Sequence, residues 1–306
     1  MKKTNLAIVY VYAVFAMLCW SFSFIWVKQL YEMGFKPITV VIFRLAIASL
    51  ILHLLAKLFF KKEKIAKEDY GRFLLLAFFE PFCYFMGESF GMLYVSASLA
   101  SIIVALIPLT TPVFAWFFIK ERVNMYEMFG LVVSFAGVLM LVLNDFKLEG
   151  QIIGYVLMFV AVIGGSCFGI VLKAITEKYS ALTIVKAQTL IGSFLFLPFF
   201  LIWELPSFLT QGFQMKAYIN LSLLAIFPSS IAFIILTIMV RNLGVVKANV
   251  FTYLIPIITT ILSYFILKES FSLIKVGAML IVILGLFVSQ LERLNGKNRS
   301  LAYEKN

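Results

Sequence analysis

Two carboxylic acids, Glu80 and Glu88, stand inside a run of apolar residues that covers 72–94. An ionisable group at the centre of a membrane helix costs about 2.5–3.5 kcal/mol to insert, so such residues are rare and tend to be paired or functional. At helical spacing Glu80, Tyr84 and Glu88 share one face. Pro81 removes a backbone hydrogen bond next to Glu80, which predicts a kink. This face therefore predicts a polar lining turned away from lipid, with all three residues as candidates for substrate binding or proton coupling.

Glu88 has a basic candidate partner in the preceding apolar run. Counted at a rise of roughly 1.5 Å per residue, Glu88 and Arg44 both lie about 10 Å from the same end of their runs. Lone charges in membranes tend to pair, so the sequence predicts an ion pair and a structural role for Arg44. No basic residue shares the level of Glu80. Two interpretations of Glu80 stay open: a protonated, hydrogen-bonded carboxyl that joins helices, and a group that binds protons or a substrate amine.

Small and aromatic residues at helical spacing form further stripes on other apolar runs. Such stripes pack helices closely in membranes, or they line a cavity in which aromatic rings supply flat apolar contact. The candidates for a cavity lining, besides the acidic face, are Trp20, Ser23, Ser101, Asn249 and Tyr253.

No enzyme active site can be assembled from the sequence. Ser89 sits between Gly87 and Gly91 in a GxSxG pattern, but a nucleophilic serine needs a strand–turn–helix elbow and a nearby base. The one histidine, His53, lies about 15–20 Å away along the helix axes. The two glycines more simply predict close helix contact. The sequence therefore predicts no catalytic residue, no metal ligands and no cofactor.

The elements that must position these residues are membrane helices. Of the 306 residues, 63% are hydrophobic and 13% are charged, whereas soluble domains have about half and a quarter. A membrane-spanning helix needs about 20 mainly apolar residues. The runs that qualify cover 6–27, 38–56, 72–94, 98–119, 125–143, 152–172, 181–202, 217–240, 246–267 and 272–290. The predicted fold is an all-α integral membrane protein with ten transmembrane helices.

The net charge of +11 is explained by basic residues that flank membrane helices, and it does not indicate nucleic-acid binding. Lys and Arg collect in cytoplasmic loops and set the orientation of a membrane protein. If the N-terminus is cytoplasmic, the loops and tails on that side hold 18 Lys and Arg residues, and the opposite side holds 6. This bias predicts a multi-pass protein of the plasma (inner) membrane with both termini in the cytoplasm, including a polar tail at 291–306.

The chain repeats itself at an offset of 148 residues. The repeated landmarks predict two units, 1–143 and 152–290, of five helices each. Because five is odd, the second unit is inserted with the opposite orientation, and such inverted-topology repeats are common in secondary transporters that bind substrate near the midplane. The landmarks with a predicted structural role are Pro108 and Pro256, and Glu121 and Glu269 at the ends of their helices.

The chain resembles the EamA family of the drug/metabolite transporter superfamily. The resemblance rests on the Trp-Ser-Phe-Ser-Phe stretch at 20–24, on Arg44, on the serine-rich entry at 96–101, on Pro108 and on the Lys-Glu pair that ends at Glu121. It implies a ten-helix exporter of small metabolites such as amino acids or drugs. Coupling to protons and self-association into a homo-oligomer are compatible with it.

The leading hypothesis is a secondary carrier in the lipid bilayer that works by alternating access around a midplane cavity. Two alternatives stay open. A membrane-embedded enzyme is one, although it lacks a nucleophile and base. A passive channel is the other, and the repeat alone does not separate it from a carrier.

Overall fold

The computed structural model describes residues 6–60, 63–119, 125–144, 151–212, 214–243, 248, 251–269, 273–285 and 287–288. Over these residues the chain forms helices and no strands, as expected where backbone groups must be satisfied within their own segment in lipid. The helices are α1 (Leu6–Glu32), α2 (Pro37–Phe59), α3 (Lys67–Gly91), α4 (Ala97–Val104, continued by Ile107–Ile119), α5 (Met125–Asn144), α6 (Gln151–Thr176), α7 (Ala181–Leu209), α8 (Met215–Leu243), α9 (Phe251–Leu267) and α10 (Leu273–Gly285).

Within the described ranges, seven helices are long and apolar enough to cross a membrane, namely α1 to α4 and α6 to α8. The other three, α5, α9 and α10, contain shorter apolar stretches at the positions of predicted spans five, nine and ten. The all-helical membrane fold is therefore confirmed, and the count of ten crossings stays a prediction.

Helix α3 is broken where the sequence predicts a kink. Glu80 has φ −147° and ψ 117°, which are extended and not helical, and the turn Phe78–Cys83 around it is wide, with π-type hydrogen bonds. Pro81 has no N–H to donate, so the helical ladder is interrupted there. Gln188 of α7 donates its side-chain Nε2 to the Glu80 carbonyl at 3.0 Å. The backbone group freed by the break is thus satisfied from a neighbouring helix.

The wide turn in α3 has a counterpart in α8. Residues Phe227–Ala232 again form a π-type turn, and Pro228 stands at its start. Ser230 donates its hydroxyl to the carbonyl of Ala225 at 2.7 Å, which satisfies a backbone group released by the widened turn. Such turns are frequent at functional sites, and both of these lie near the middle of their helices.

The glycines of α3 bring it into backbone contact with α6, as the sequence predicts. A Cβ atom at Gly87 would collide with the backbone of Leu157 and Ala161, and one at Gly91 would collide with the Met158 side chain. Only residues without a side chain permit this approach, which is how small residues act in membrane helix pairs.

Carboxylates from distant helices cap two helix N-termini. Glu204 of α7 accepts bonds at the start of α2 from the N–H of Ile38 at 3.2 Å and from the N–H and hydroxyl of Thr39 at 2.6 and 2.8 Å. Glu63, after α2, accepts from the N–H and hydroxyl of Ser180, the N-cap of α7. The N–H groups at a helix start have no partner within the helix and favour negative charge, so α2 and α7 cap each other.

A polar cluster joins the start of α3 to the loop between α6 and α7. The hydroxyl of Tyr179 donates to Asp69 at 2.6 Å, and Lys178 forms ion pairs with Asp69 and Glu68. These two carboxylates raise the pKa of the Lys178 amine, with the hydrogen bond to Asp69 as the larger cause. The cluster lies on the face predicted to be cytoplasmic, which is called the inner face below.

Several helices extend past their predicted ends, and α1 and α7 extend furthest. Helix α1 continues to Glu32 and does not end at residue 27, and α7 continues to Leu209 and not to 202. Charged residues mark both predicted ends. They lie within the helices because each has a partner: Lys28 donates to the carbonyl of Met92, and Glu204 caps α2.

Candidate functional site

A cavity of about 90 Å³ lies between α1, α2, α3, α4, α6, α8 and α9. A single water needs only about 10–15 Å³ on the same measure, so the cavity has room for a small solute. Its lining contains Trp20, Ser23, Phe24, Arg44, Glu80, Tyr84, Phe85, Glu88, Ser101, Val104, Ala105, Ile107, Gly165, Phe168, Gly169, Leu172, Phe233, Leu236, Val240, Thr252 and Ile255.

The structure brings most of the sequence candidates together in this cavity. Among the described residues, Tyr253, Pro108, Pro256 and Glu269 do not line it, and Asn249 and Glu121 lie outside the residues that the structure describes. The candidates that do line it are Trp20, Ser23, Arg44, Glu80, Tyr84, Glu88 and Ser101.

Glu80 enters the cavity from the broken turn of α3. Its side chain is 9% exposed, and its carboxylate has no hydrogen bond or ion pair within the described part of the chain. Pro81 and the bond from Gln188 to the Glu80 carbonyl fix the backbone around it. A buried carboxyl without a protein partner is costly, so the position is suited to bind a proton or a cationic group.

Arg44 reaches the cavity from α2 and is 1% exposed. Its Nε donates to the hydroxyl of Ser229 on α8 at 2.9 Å. The guanidinium carbon lies 4.3 Å from the centroid of the Phe85 ring, a cation–π contact. Its Nη1 is buried and has no hydrogen-bond partner among the described residues. Two contacts thus hold the side chain in place, and Nη1 can still donate a hydrogen bond to a bound solute.

The predicted ion pair between Arg44 and Glu88 does not form. These two residues, both described, have no nitrogen–oxygen contact within 4.0 Å, although they line the same cavity. Glu88 instead accepts a hydrogen bond from the hydroxyl of Tyr84, one helical turn earlier, at 2.8 Å. Matched depth on two helices is a necessary condition for a pair, but Ser229 and Phe85 hold the guanidinium in another place.

The remaining walls of the cavity are aromatic and apolar. The Trp20 ring lies edge-on to Phe233 at 5.6 Å between centroids, and Phe233 also contacts Phe168 at 6.1 Å. The hydroxyl of Ser101 donates to the carbonyl of Ser98 in its own helix at 2.7 Å, so Ser101 contributes little polarity. The lining is therefore a few charged groups within apolar walls, the usual composition of a small-molecule site.

Sequence reasoning missed two parts of this lining. The aromatic residues Phe168 and Phe233 carry no signal in a chain with 33 phenylalanines. Gly165 and Gly169, which line the cavity, form a GxxxG pattern that predicts only helix packing. Their spacing on one face of α6 could have indicated a cavity wall, since a small residue opens space as readily as it permits contact.

Polar bonds join helices at the face predicted to be external, which is called the outer face below. Lys28 donates its amine to the carbonyl of Met92, and Tyr31 donates its hydroxyl to the carbonyl of Ser89 at 2.8 Å. Glu269, after α9, caps the start of α4 by accepting from the N–H of Ala97 at 2.8 Å and from the N–H and hydroxyl of Ser98. These bonds join α1, α3, α4 and α9 above the cavity.

Toward the inner face the lining continues almost to the helix ends. Leu172 lies about 6 Å from the end of α6 and Val240 about 4.5 Å from the end of α8, counted at the rise per residue of a helix. Thr252, in the first turn of α9, is also part of the lining. The lining approaches the helix ends at the outer face as well, since Glu88 lies about 4.5 Å from the end of α3 and Ser101 about 6 Å from the start of α4.

No group of three or more His, Cys, Asp or Glu residues that could hold a metal ion occurs in the described ranges. The two carboxylates of the cavity lack further ligands of this kind. The arrangement is suited to bind and release a small charged solute.

Comparison with known proteins places the chain among transporters. A protein of Archaeoglobus fulgidus named as an uncharacterized transporter is 23% identical over 271 residues, which is 88% of this chain and 94% of that protein. The transporter YetK of Bacillus subtilis, also named as uncharacterized, is 26% identical over 275 residues, 86% of this chain and 81% of its own. One crystal structure covers 90% of this chain and 98% of its own with a TM-score of 0.66 at 16% identity, which shows a shared fold.

The family comparison covers nearly the whole chain. The model of the EamA-like transporter family matches twice, at residues 7–143 and 152–291. The two matched segments correspond to the two units that the 148-residue offset predicts. The chain therefore belongs to the EamA-like transporter family.

Proposed function

We propose that this protein is a secondary carrier that exports a small metabolite, such as an amino acid or a drug, by alternating access. The observation that carries the proposal is the cavity itself: it holds charged side chains inside an apolar helical protein, between helices of both halves. A carrier exposes one binding site to each side of the membrane in turn.

An inverted-topology repeat supports the mechanism. Ser134 of α5 donates to the carbonyl of Val282 of α10 at 2.9 Å, and these residues are 148 apart. At the same offset, Gly137 corresponds to Gly285 and Gly130 corresponds to Ala278. Gly137 lies against Ala278, and Gly285 lies against Gly130 in the same way. Contacts between residues and their own counterparts are those of a two-fold axis.

The direction of the two helices gives the orientation of this axis. The contacts run in opposite sequence directions, so α5 and α10 are antiparallel. A two-fold axis that reverses a helix is perpendicular to it and would lie in the membrane plane. In the repeat, α1 corresponds to α6, α3 to α8 and α4 to α9. The contact of α1 with α9 therefore has its counterpart in the contact of α6 with α4, and the contact of α3 with α6 has its counterpart in that of α8 with α1.

The repeat explains how access could alternate. If the two halves exchange conformations, the bonds that join helices at the outer face break as equivalent ones form at the inner face. Alternating access in inverted repeats is largely a rocking of one half against the other around a fixed site. The charge bias favours a cytoplasmic location of both termini, and an exporter loads its solute in the state whose cavity opens to that side.

Glu80 is the proposed ionisable centre of the cycle. It is the cavity carboxylate without a hydrogen-bond partner in the described chain, whereas Glu88 is bonded to Tyr84. The charged and titratable groups that share its cavity are Arg44, Tyr84 and Glu88. A carboxyl that carries a proton in one state and a substrate cation in the other would exchange one for the other, which couples export to proton entry.

Reconstituted protein in liposomes tests the proposal. Counterflow of radiolabelled amino acids, nucleobases and cationic drugs is measured with and without a pH gradient. A carrier gives saturable uptake that is accelerated by unlabelled substrate inside the vesicle. Flux that does not saturate and shows no acceleration would identify a channel, and chemical conversion of the solute would identify an enzyme.

A further inference from the structure

We infer that the cavity selects solutes carrying both a negative and a positive group, with Arg44 binding the first and Glu80 the second. The inference rests on the proposed carrier function and names its substrate class. Its basis is that the cavity holds two opposite charges that are each left without a full set of partners.

Arg44 supplies the site for the negative group. A guanidinium carries five N–H donors and does not lose its proton in proteins. Ser229 accepts the bond from Nε and the Phe85 ring covers one face, but Nη1 is buried and bonds to no residue in the described part of the chain. A buried charged donor without an acceptor is unfavourable, and the guanidinium matches the geometry of a carboxylate. The free donor therefore favours an anionic group of the solute.

Glu80 supplies the site for the positive group. Its carboxylate has no bond to any described residue, and its backbone is fixed by Pro81 and Gln188. The other acidic residue of the cavity, Glu88, already accepts from Tyr84 at 2.8 Å. Of the two acids, Glu80 thus keeps its full capacity to accept bonds from an ammonium group.

The two groups are held apart, which leaves the space between them to the solute. Arg44 and Glu80 line one cavity but form no ion pair within 4.0 Å. A solute with a single charge would leave the opposite protein group buried and unpaired, which a site with few polar groups rejects strongly. The aromatic walls formed by Trp20, Phe168 and Phe233 favour an apolar body between the charges.

Matched solutes test this on the unmodified protein. Two series are compared: phenylalanine, phenethylamine and hydrocinnamate, and leucine, isopentylamine and isocaproate. Within each series the second compound lacks the carboxylate and the third lacks the amine. Affinity is measured as inhibition of counterflow and as ligand-induced thermal stabilisation of the purified protein. The zwitterion of at least one series should bind about tenfold or more tightly than both of its analogues, the loss expected when a buried charge loses its partner.

Two variants assign the charges to residues. Arg44→Gln should weaken binding of the zwitterion but not of the amine, so that the two become similar. Glu80→Gln should remove the preference over the acid in the same way. The matched control is Glu68→Gln, a surface glutamate that is 74% exposed, and it should leave both ratios unchanged. If Arg44→Gln does not fold, the solute series on the unmodified protein still decides.

The outcomes separate the substrate class from the carrier function. Equal or tighter binding of the amine or the acid than of the zwitterion overturns the inference. It is also overturned if the protein transports another solute by saturable counterflow while no zwitterion binds, and the carrier proposal then stands. If the Arg44→Gln and Glu80→Gln proteins fold but keep the preference for the zwitterion unchanged, the charges are assigned to the wrong residues and the inference is overturned as well. Absence of saturable flux for every solute instead defeats the carrier proposal.

Discussion

Charged side chains in the cavity are held in place by neighbours that do not neutralise them. Arg44 is fixed by a hydroxyl and an aromatic ring, and Glu80 by the backbone break at Pro81. Burial of a charge with incomplete partners costs stability. Such a cost is retained where the charge is needed for function. A substitution of either residue should therefore reduce transport more than it reduces stability.

Replacing Glu80 with glutamine should abolish coupled transport while leaving the fold intact. Glutamine keeps the shape and hydrogen bonding of the protonated carboxyl but cannot ionise. The Glu80 side chain makes no bond to other described residues, so folded yield and thermal stability should stay within about 1 kcal/mol of the unmodified protein. Net export driven by a pH gradient should fall at least about tenfold, measured in proteoliposomes across a range of pH.

The control for this change is Glu68→Gln, since Glu68 lies at the surface and pairs with Lys178. An exposed pair contributes about 1 kcal/mol or less, so this protein should keep its rate and pH profile. A well-folded Glu80→Gln protein with the unmodified rate and pH profile would reduce Glu80 to a structural role.

Sequence alone places the acidic residues of the cavity but not their partners. A helical face is enough to put Tyr84 and Glu88 together, whereas Glu80 joins them in the cavity from the broken turn at Pro81. The bond from Arg44 to Ser229 is beyond such reasoning, since it depends on which helices are neighbours and on side-chain conformation. The sequence predicts an ion pair of Arg44 with Glu88 because the depth of each residue can be counted along its helix. The lateral position of the two side chains cannot be counted in this way.

At the scale of helices, carboxylates from elsewhere in the chain cap the N-termini of α2, α4 and α7. Such a cap satisfies several N–H groups at once and complements the positive end of the helix dipole. It also fixes the position of one helix end relative to another. The caps on α2 and α7 are reciprocal, so this pair is tied at both membrane faces.

Replacing Glu204 with alanine should destabilise the protein by about 1–3 kcal/mol, the range for a lost cap with charge-assisted bonds. Three donors at the start of α2 lose their acceptor, and Glu204 is 4% exposed. The measurement is thermal or denaturant unfolding in detergent. Glu177→Ala serves as the control because Glu177 is exposed, and it should change stability by less than about 0.5 kcal/mol.

Two glycines of α3 should respond to alanine with opposite signs. A Cβ atom at Gly87 meets backbone atoms of Leu157 and Ala161, which cannot rotate away, whereas one at Gly71 meets nothing within 4 Å. Gly87→Ala should therefore destabilise the protein by about 1–3 kcal/mol. Gly71→Ala should stabilise it by up to about 1 kcal/mol because alanine favours helix. Unfolding of both proteins under the same conditions measures the difference, and equal effects would contradict the close contact of α3 and α6.

Helix ends are less predictable from sequence than helix faces. Lys28 and Glu204 lie just beyond the apolar runs 6–27 and 181–202 from which the spans are predicted. In the structure each finds a partner in another helix, and the helix continues past it. Only the tertiary contacts reveal that these charges are satisfied within the fold.

At the scale of the whole molecule, the repeat and the charge bias make one joint prediction about orientation. Five crossings per half and excess Lys and Arg on one side require both termini to be cytoplasmic. Reporter fusions placed after Lys67 and after Asn306 should both report the cytoplasm. An external signal from either position would contradict the orientation and the odd number of crossings per half.

The polar bonds at the outer face should act as a gate whose loss shifts the molecule toward an outward-facing state. Glu269 of the second half bonds the start of α4 in the first half, and Lys28 and Tyr31 join α1 to α3 beside it. In a protein with its cysteines replaced by alanine, a single cysteine at Ser23 in the cavity wall reports access. A membrane-impermeant thiol reagent should label it readily in inside-out vesicles and slowly in right-side-out vesicles.

Lys28→Met removes the amine and keeps the length and apolar stem of the side chain. If the two states differ by a few kcal/mol, loss of one part-buried charged bond worth about 1.5 kcal/mol raises the outward population about tenfold. Labelling of the cysteine at position 23 from outside should rise by that factor and fall from inside. A cysteine at Thr210, exposed in the turn after α7, should be labelled from outside at the same rate in both proteins. Equal labelling from outside with and without Lys28 would show that these bonds are not the gate, because a seal that controls access must change access when it is removed.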